Sequence, residues 1–193
     1  MAFRAKARQV RATTPQTGSD RPAVTSSKPR PRRPGDTTIA SLTKRPGFLL
    51  RRAHQLSVAM FNEAVGALGI TTTQYGALVV LRHCEGLDRI DLARKFGLDR
   101  TTAALVVRKL EEKALVVRID DRADRRRKII VLTARGERML ESLRVPAEAA
   151  RLRALSVFSP AESKEFLRLL AVLSDTFKDQ ARAPLQMPTD EPF

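Results

Sequence analysis

The sequence predicts a mainly α-helical fold with one small β-hairpin, an α+β architecture. Three observations point to it. Long helical stretches run from 46 to 69 and from 134 to beyond 170. Between them lie two short helical segments joined by Gly97-Leu98-Asp99. After these, two β-branched runs, VVRID at 116–120 and KIIVL at 128–132, flank a polar turn dense in Asp and Arg, as the strands of a hairpin do.

Each element has its own local signal. From 1 to 45 the chain mixes Pro15, Pro22, Pro29, Pro31 and Pro34 with Ser, Thr and Arg and has almost no large apolar residue. Such a segment cannot bury enough surface to offset its ordering entropy, so 1–45 is expected to be a disordered basic arm. Two roles fit it equally: added phosphate contacts near DNA, or a solubilising tail. Pro46 suits the first turn of a helix, where an amide hydrogen would go unpaired anyway. Phe48, Leu49, Ala53, Leu56, Met60, Phe61, Val65 and Leu68 then recur at three- and four-residue steps up to Gly69. Thr71 to Gln74 has the form of a capping box opening a second helix, which runs to about Cys84.

Asp88 and Asp91 suit the positive N-terminus of a short helix that ends at Gly97, and Asp99 opens another that continues to about Lys113. Thr133 caps a long helix reaching about Ser156, which Pro146 is expected to kink without breaking. Ser159, Pro160 and Glu162 combine cap, first-turn proline and capping-box acid. The helix they open carries Phe166, Leu169, Leu170, Leu173 and Phe177 on one stripe. Beyond Lys178, Pro184, Pro188 and Pro192 return the chain to coil, so 179–193 reads as a tail.

Charge and composition narrow the function. The chain has 193 residues, enough for one cored domain with a tail, and 36 Lys and Arg against 21 Asp and Glu give a formal net charge of +15. That balance favours a polyanionic partner, nucleic acid before an anionic membrane surface. The lone Cys84 excludes an internal disulfide framework and a thiolate-cluster zinc site, and fits a reducing, cytoplasmic setting. No run approaches the length of a membrane span and no secretory core opens the chain. Its Arg-rich, acid-poor start shares composition with a transit peptide, but a solvated basic arm accounts for the same residues. With two histidines, no nucleophile elbow, no glycine-rich phosphate loop and no metal-ligand spacing, an enzyme, a metal site and a cofactor are not expected.

Two short helices followed by a hairpin make a winged helix-turn-helix unit. Such a unit places its second helix in the major groove of double-stranded DNA and its hairpin tip on the flanking backbone or minor groove. The hairpin segment holds Arg118, Arg122, Arg125, Arg126, Arg127 and Lys128 around one turn, a density that phosphate or a narrow groove rewards.

The segment DRIDLARKFGLDRTTAALVVRKLEEKALVVRIDDRADRRRKIIVLTARG, 88–136, resembles the MarR family of bacterial regulators. Its most specific text is Asp121-x-x-Asp124-Arg125-Arg126 on the wing, followed by Leu132-Thr133 and Gly136. The resemblance covers about 46–178 and implies a ligand-responsive repressor that binds a pseudo-palindromic operator as a homodimer. In it, 46–69 and 134–178 are the dimerisation helices and 71–133 the winged unit. The apolar stripes of the terminal helices independently suggest the homodimer, since one small winged domain cannot cover them.

In the recognition helix, Ala103, Val106, Val107 and Leu110 form the inward stripe, leaving Arg100, Thr101, Ala104, Leu105 and Arg108 outward. Leu105, where relatives often carry a polar or basic residue, reads equally as a core residue or as a contact to thymine methyls. Thr102 reads as a DNA contact or as part of the helix cap. On the wing, Arg122, Arg125 and Arg126 are the DNA-contacting candidates, with Asp121 or Asp124 orienting one guanidinium by pairing. Ala114 stands where relatives commonly have the glycine that closes the recognition helix.

The family resemblance further implies a small-molecule effector, an aromatic acid or an acyl-coenzyme A thioester. The stretch PGFLLRRAHQ, 46–55, is similar to a subgroup linked to aromatic-compound catabolism. A bound carboxylate needs a cation to offset its desolvation, and Arg51, Arg52, His54, Gln55, Tyr75 and Arg82 are the polar groups on hand. Two other readings stay open: a redox-responsive repressor sensing oxidants through Cys84, and a less specific architectural DNA-binding protein.

Overall fold

The computed structural model describes residues 38–177 and residue 180. The arm at 1–37 and nearly all of the tail at 179–193 lie outside the described residues. The elements are α1 (Ile39–Leu42), α2 (Pro46–Val65), a 3-10 turn (Gly66–Leu68), α3 (Thr72–His83), α4 (Arg89–Phe96), α5 (Arg100–Glu112), β1 (Val116–Asp120), β2 (Lys128–Leu132), α6 (Ala134–Leu155) and α7 (Pro160–Thr176). The α+β architecture with a winged helix-turn-helix at its centre is as expected.

The helix starts are where the local signals put them. The Thr71 hydroxyl accepts the Gln74 amide at 3.2 Å while the Gln74 side chain accepts the Thr71 amide at 3.4 Å, a complete capping box. Gln74 is the one buried polar residue among the described residues, and this pairing satisfies it. Ser159 and Glu162 form the second box. Asp88 and Asp99 cap α4 and α5, and Thr133 caps α6. α6 runs unbroken across Pro146.

Two stretches differ from expectation. Residues 39–42, within the segment read as a disordered arm, form a single helical turn, closed by Thr43 donating to the Ile39 carbonyl at 3.0 Å. It buries nothing, so burial arguments gave no sign of it. At the end of α2 the last residues tighten into a 3-10 turn before Gly69 adopts φ +63°.

The core lies under the winged unit, where Val65, Leu78, Leu92, Leu110, Leu115 and Leu143 are fully buried. Each such side chain contributes about 1.5–3 kcal/mol by its removal from water. The two strands are antiparallel, Val116 opposite Leu132 and Asp120 opposite Lys128. The Ile130 amide donates to the Leu87 carbonyl at 2.8 Å, which adds the α3–α4 connection to the β2 edge. The Lys113 ammonium donates to the Gly69 carbonyl, joining the end of α5 to the α2–α3 junction.

The end of α5 is a Schellman motif. The Ala114 amide donates to the Glu111 carbonyl at 2.8 Å and the Leu115 amide to the Leu110 carbonyl at 2.9 Å. Leu110 and Leu115 are both fully buried, the apolar contact that accompanies the motif. Ala114 occupies the left-handed position with φ +53°, so this helix ends through glycine geometry without glycine. The Ala114 carbonyl in turn accepts the Thr133 hydroxyl at 2.8 Å. Gly136 sits so close beneath that a Cβ on it would lie 2.1 Å from the Leu115 carbonyl oxygen. Thr133 and Gly136 of the family-like text thus brace the end of the recognition helix.

The terminal helices bury little within one chain. α2 buries only Phe61 and Val65, and α7 buries no residue over its 17 positions. Leu49, Leu56, Leu152, Leu169 and Leu173 are exposed. No single helix among the described residues is long and apolar enough to cross a membrane.

Candidate nucleic-acid interface

The rotation of α5 about its axis follows from its sequence. Ala103, Val106, Val107 and Leu110 are buried as one stripe. The opposite face presents Arg100, Thr101, Leu105 and Arg108, all exposed, with Ala104 half-buried. Asp99 fixes the start: its carboxylate accepts the amides of Thr101 at 3.0 Å and Thr102 at 2.9 Å, and the Thr102 hydroxyl at 2.6 Å. The Thr102 hydroxyl and these amides hold the Asp99 carboxyl below the usual carboxylate range. Of the two readings of Thr102, the structure supports the cap. Leu105 is 49 % exposed and is not a core residue. Arg108 lies 3.7 Å from Glu112, which also accepts Lys109 at 2.7 Å.

The hairpin divides its six cations into two sets. Arg118 forms a bidentate pair with Glu111 of α5, at 2.6 and 2.7 Å, and Lys128 pairs with Asp120 across the strands. Arg127 is gripped by three carboxylates: Asp88 at 3.2 Å, Asp121 at 3.3 Å, and Asp91. These acids come from the cap and first turn of α4 and from the wing itself, so Arg127 fastens the wing to the helix-turn-helix. Its hydrogen bond to Asp88 leads in strengthening its hold on its proton. Burial pushes the Asp88 carboxyl up, but bonds from the Asp91 amide, Arg127 and the Ile90 amide outweigh it and hold the group low.

Arg122, Arg125 and Arg126 form the other set. They are exposed and have no carboxylate partner among the described residues. The three wing residues singled out from the sequence are therefore those left without a carboxylate partner among the described residues.

One of the two acids read as orienting a guanidinium holds one, though not that of Arg122, Arg125 or Arg126. Asp121 pairs with Arg127, and Asp124 pairs with no arginine side chain: its carboxylate accepts the Arg126 amide at 2.9 Å, and its carbonyl the Arg127 amide at 2.9 Å. Neither orients Arg122, Arg125 or Arg126. A short polar side chain two residues before an amide closes a turn more readily than it reaches a long flexible guanidinium. Sequence reasoning missed Arg127 as the anchored residue, because its partners Asp88 and Asp91 lie 39 and 36 positions away.

The candidates for an effector do not converge within one chain. Arg51, Arg52, His54 and Gln55 lie on the exposed part of α2, where Arg51 donates to Gln55 at 3.3 Å and covers the Phe48 ring at 5.2 Å. Tyr75 is half-buried against Phe61, ring centroids 5.6 Å apart, roughly 15 Å further along α2 from Arg51 at about 1.5 Å per residue. Arg82 faces α6, 3.7 Å from Glu137 and 4.0 Å from Glu141. Cys84 is half-buried and packs against the core. No group of three or more His, Cys, Asp or Glu among the described residues is arranged to hold a metal.

Known proteins share this arrangement. The MarR family model matches residues 70–128, from two residues before α3 to the first residue of β2. A putative transcriptional regulatory protein for the hcr operon of Thauera aromatica is 31 % identical over 140 residues, 72 % of this chain and 82 % of that protein. BpsR of Bordetella bronchiseptica, whose DNA binding is regulated by 6-hydroxynicotinic acid, is similar with a TM-score of 0.67 at 28 % identity, covering 73 % of this chain and 99 % of that one. CouR from Rhodococcus jostii RHA1, solved bound to p-coumaroyl-CoA, is similar with a TM-score of 0.58 at 28 % identity, covering 76 % and 98 %. A recognition helix with a bare outward face, a wing bolted to it by Arg127, and relatives matched over almost their whole length lead to one assignment: the chain belongs to the MarR family of DNA-binding transcriptional regulators.

Proposed function

We propose that the chain acts in the cytoplasm as a homodimeric repressor that grips a pseudo-palindromic duplex through α5 and the wing, and lets go when an aromatic acid or its coenzyme A thioester binds. The observation that carries the DNA contact is the set of Arg122, Arg125 and Arg126, exposed and without a carboxylate partner among the described residues, on a hairpin tied to α5 by the Arg118–Glu111 pair. Phosphate supplies what these cations lack, while Arg100, Thr101, Leu105 and Arg108 meet the bases. Pairing of two chains through 46–69 and 134–178 covers the apolar surface that α2, α6 and α7 leave open, and sets two recognition helices about one helical turn of DNA apart.

The effector reading rests on BpsR and CouR, whose ligands each carry an aromatic ring with a carboxylate or thioester. Arg51, Arg52, His54, Gln55, Tyr75 and Arg82 are its candidate contacts. Control of aromatic-compound catabolism follows from that ligand class.

The test is a competition at fixed salt between DNA upstream of the chain's own gene and random duplex, read by fluorescence anisotropy. Preference for the former by a hundredfold or more supports a regulator; uniform affinity with a steep salt dependence makes it an architectural protein. A thermal-shift screen of aromatic acids and their coenzyme A thioesters tests the effector, since a ligand of the folded dimer raises its Tm. Unchanged ligand-induced release after Arg51→Ala, Arg52→Ala and His54→Ala removes those residues from the site.

A further inference from the structure

We propose that Leu105 recognises the C5-methyl group of a thymine in the major groove, so that each half-site of the target carries a thymine read through its methyl. The inference rests on the reading of α5 as the base-contacting helix, and it names what the middle of that helix selects.

The buried stripe of Ala103, Val106, Val107 and Leu110 fixes which residues turn outward. Thr101, Leu105 and Arg108, spaced by four and three residues, lie on one line of that face, with Ala104 beside them. The centre of the face is therefore apolar. The Thr102 hydroxyl is taken by Asp99 at 2.6 Å, so it does not add a donor there. Arg100 brings charge to one end of the face and Arg108 to the other, the latter 3.7 Å from Glu112.

A lone exposed leucine is ordinary on a protein surface. Leu105 differs in its setting, between cations on the face that a polyanion covers. When a duplex closes over it, a base edge facing its isobutyl group loses water and gains no hydrogen bond in return. Among the four bases, only thymine offers an apolar group in the major groove. Cytosine at that position presents an amino group to Leu105, and the loss of its hydration disfavours it.

The experiment uses the full chain. A randomised duplex pool is enriched by rounds of binding, and each thymine of the enriched sequence is replaced singly by deoxyuridine, which keeps the pairing edge and removes the methyl. Affinities are read by fluorescence anisotropy at fixed salt, for the wild-type chain and for Leu105→Ala. One thymine position per half-site is expected to weaken wild-type binding about fourfold when its methyl is removed, and about 15-fold when both half-sites are changed. Leu105→Ala binds more weakly to the parent duplex and is expected to be indifferent to that replacement. Because Leu105 is half exposed, the variant is expected to keep the wild-type Tm. If no deoxyuridine weakens wild-type binding, or if the same one weakens Leu105→Ala equally, the inference is overturned and α5 still reads DNA by other residues. If the pool enriches no sequence at all, the reading of a sequence-specific regulator falls, and this inference with it.

Discussion

Replacing Ala114 by glycine tests the end of the recognition helix directly. Ala114 has φ +53°, a conformation in which its Cβ crowds the backbone at a cost of about 1–2 kcal/mol for an L-residue. Glycine removes that strain but makes the unfolded chain freer, which returns about 0.4–1 kcal/mol. The net gain for Ala114→Gly is about 0.5–1 kcal/mol, and a domain of this size converts it into a rise in Tm of about 1–4 °C. Ala114→Val moves the other way, because a β-branched residue tolerates the left-handed region least. The assay is thermal unfolding followed by circular dichroism, at one protein concentration because an associating chain melts at a concentration-dependent temperature. A lower Tm for Ala114→Gly, or no loss for Ala114→Val, would refute a Schellman ending at this position.

Three further outcomes follow from the geometry. Gly136→Ala drives a methyl to 2.1 Å from the Leu115 carbonyl oxygen, a contact that backbone cannot relieve by rotation; destabilisation of about 3 kcal/mol or more is expected in urea melts, and a neutral result would contradict the close approach. Arg125→Ala is expected to weaken DNA binding on all sequences and reduce the slope of log K against log salt by about 0.9 per half-site contact, whereas Arg118→Ala, whose charge already meets Glu111, changes the slope less. The Asp91 amide, Arg127 and the Ile90 amide hold the Asp88 carboxyl below the usual carboxylate range in the folded chain, so its contribution to stability is present above that range and is lost as pH falls through the lowered pKa. Asp88→Asn is accordingly expected to flatten the acid limb of the stability profile below about pH 4, with little change in its shape at neutral pH; an unaltered acid limb would show that the ionisation of Asp88 is not linked to folding.

Features set by neighbours in sequence were legible beforehand. Thr71 with Gln74, Ser159 with Glu162, and Asp88 and Asp99 at their helix starts all act over two or three residues. The buried stripe of α5 was equally plain from its spacing. What the sequence did not disclose depends on distance along the chain. Asp91 reads locally as an acid at a helix start, and only the folded chain brings Arg127 onto it from 36 positions away. The wing was legible as a cluster of positive charge, with Arg122, Arg125 and Arg126 already singled out, but which carboxylate holds each of Arg118, Arg127 and Lys128 was not, because that pairing depends on the folded chain. Leu105 and Thr102 each had two readings that turned on exposure and on one hydrogen bond. The proposed effector contacts stay scattered: Arg51, Arg52, His54 and Gln55 lie on the exposed part of α2, while Tyr75 and Arg82 on α3 are engaged by Phe61 and by α6.

The contrast within the hairpin turn, between Arg127 and the other three arginines, bears on how fast the chain finds DNA. Arg127, at the end of the turn, is held to α4, while Arg122, Arg125 and Arg126 are exposed with no carboxylate partner to give up among the described residues. Encounter therefore begins without a step in which a contact inside the protein must first be broken. Long-range attraction acts on these side chains from the outset, and ionic strength governs the rate of arrival more than the rate of departure.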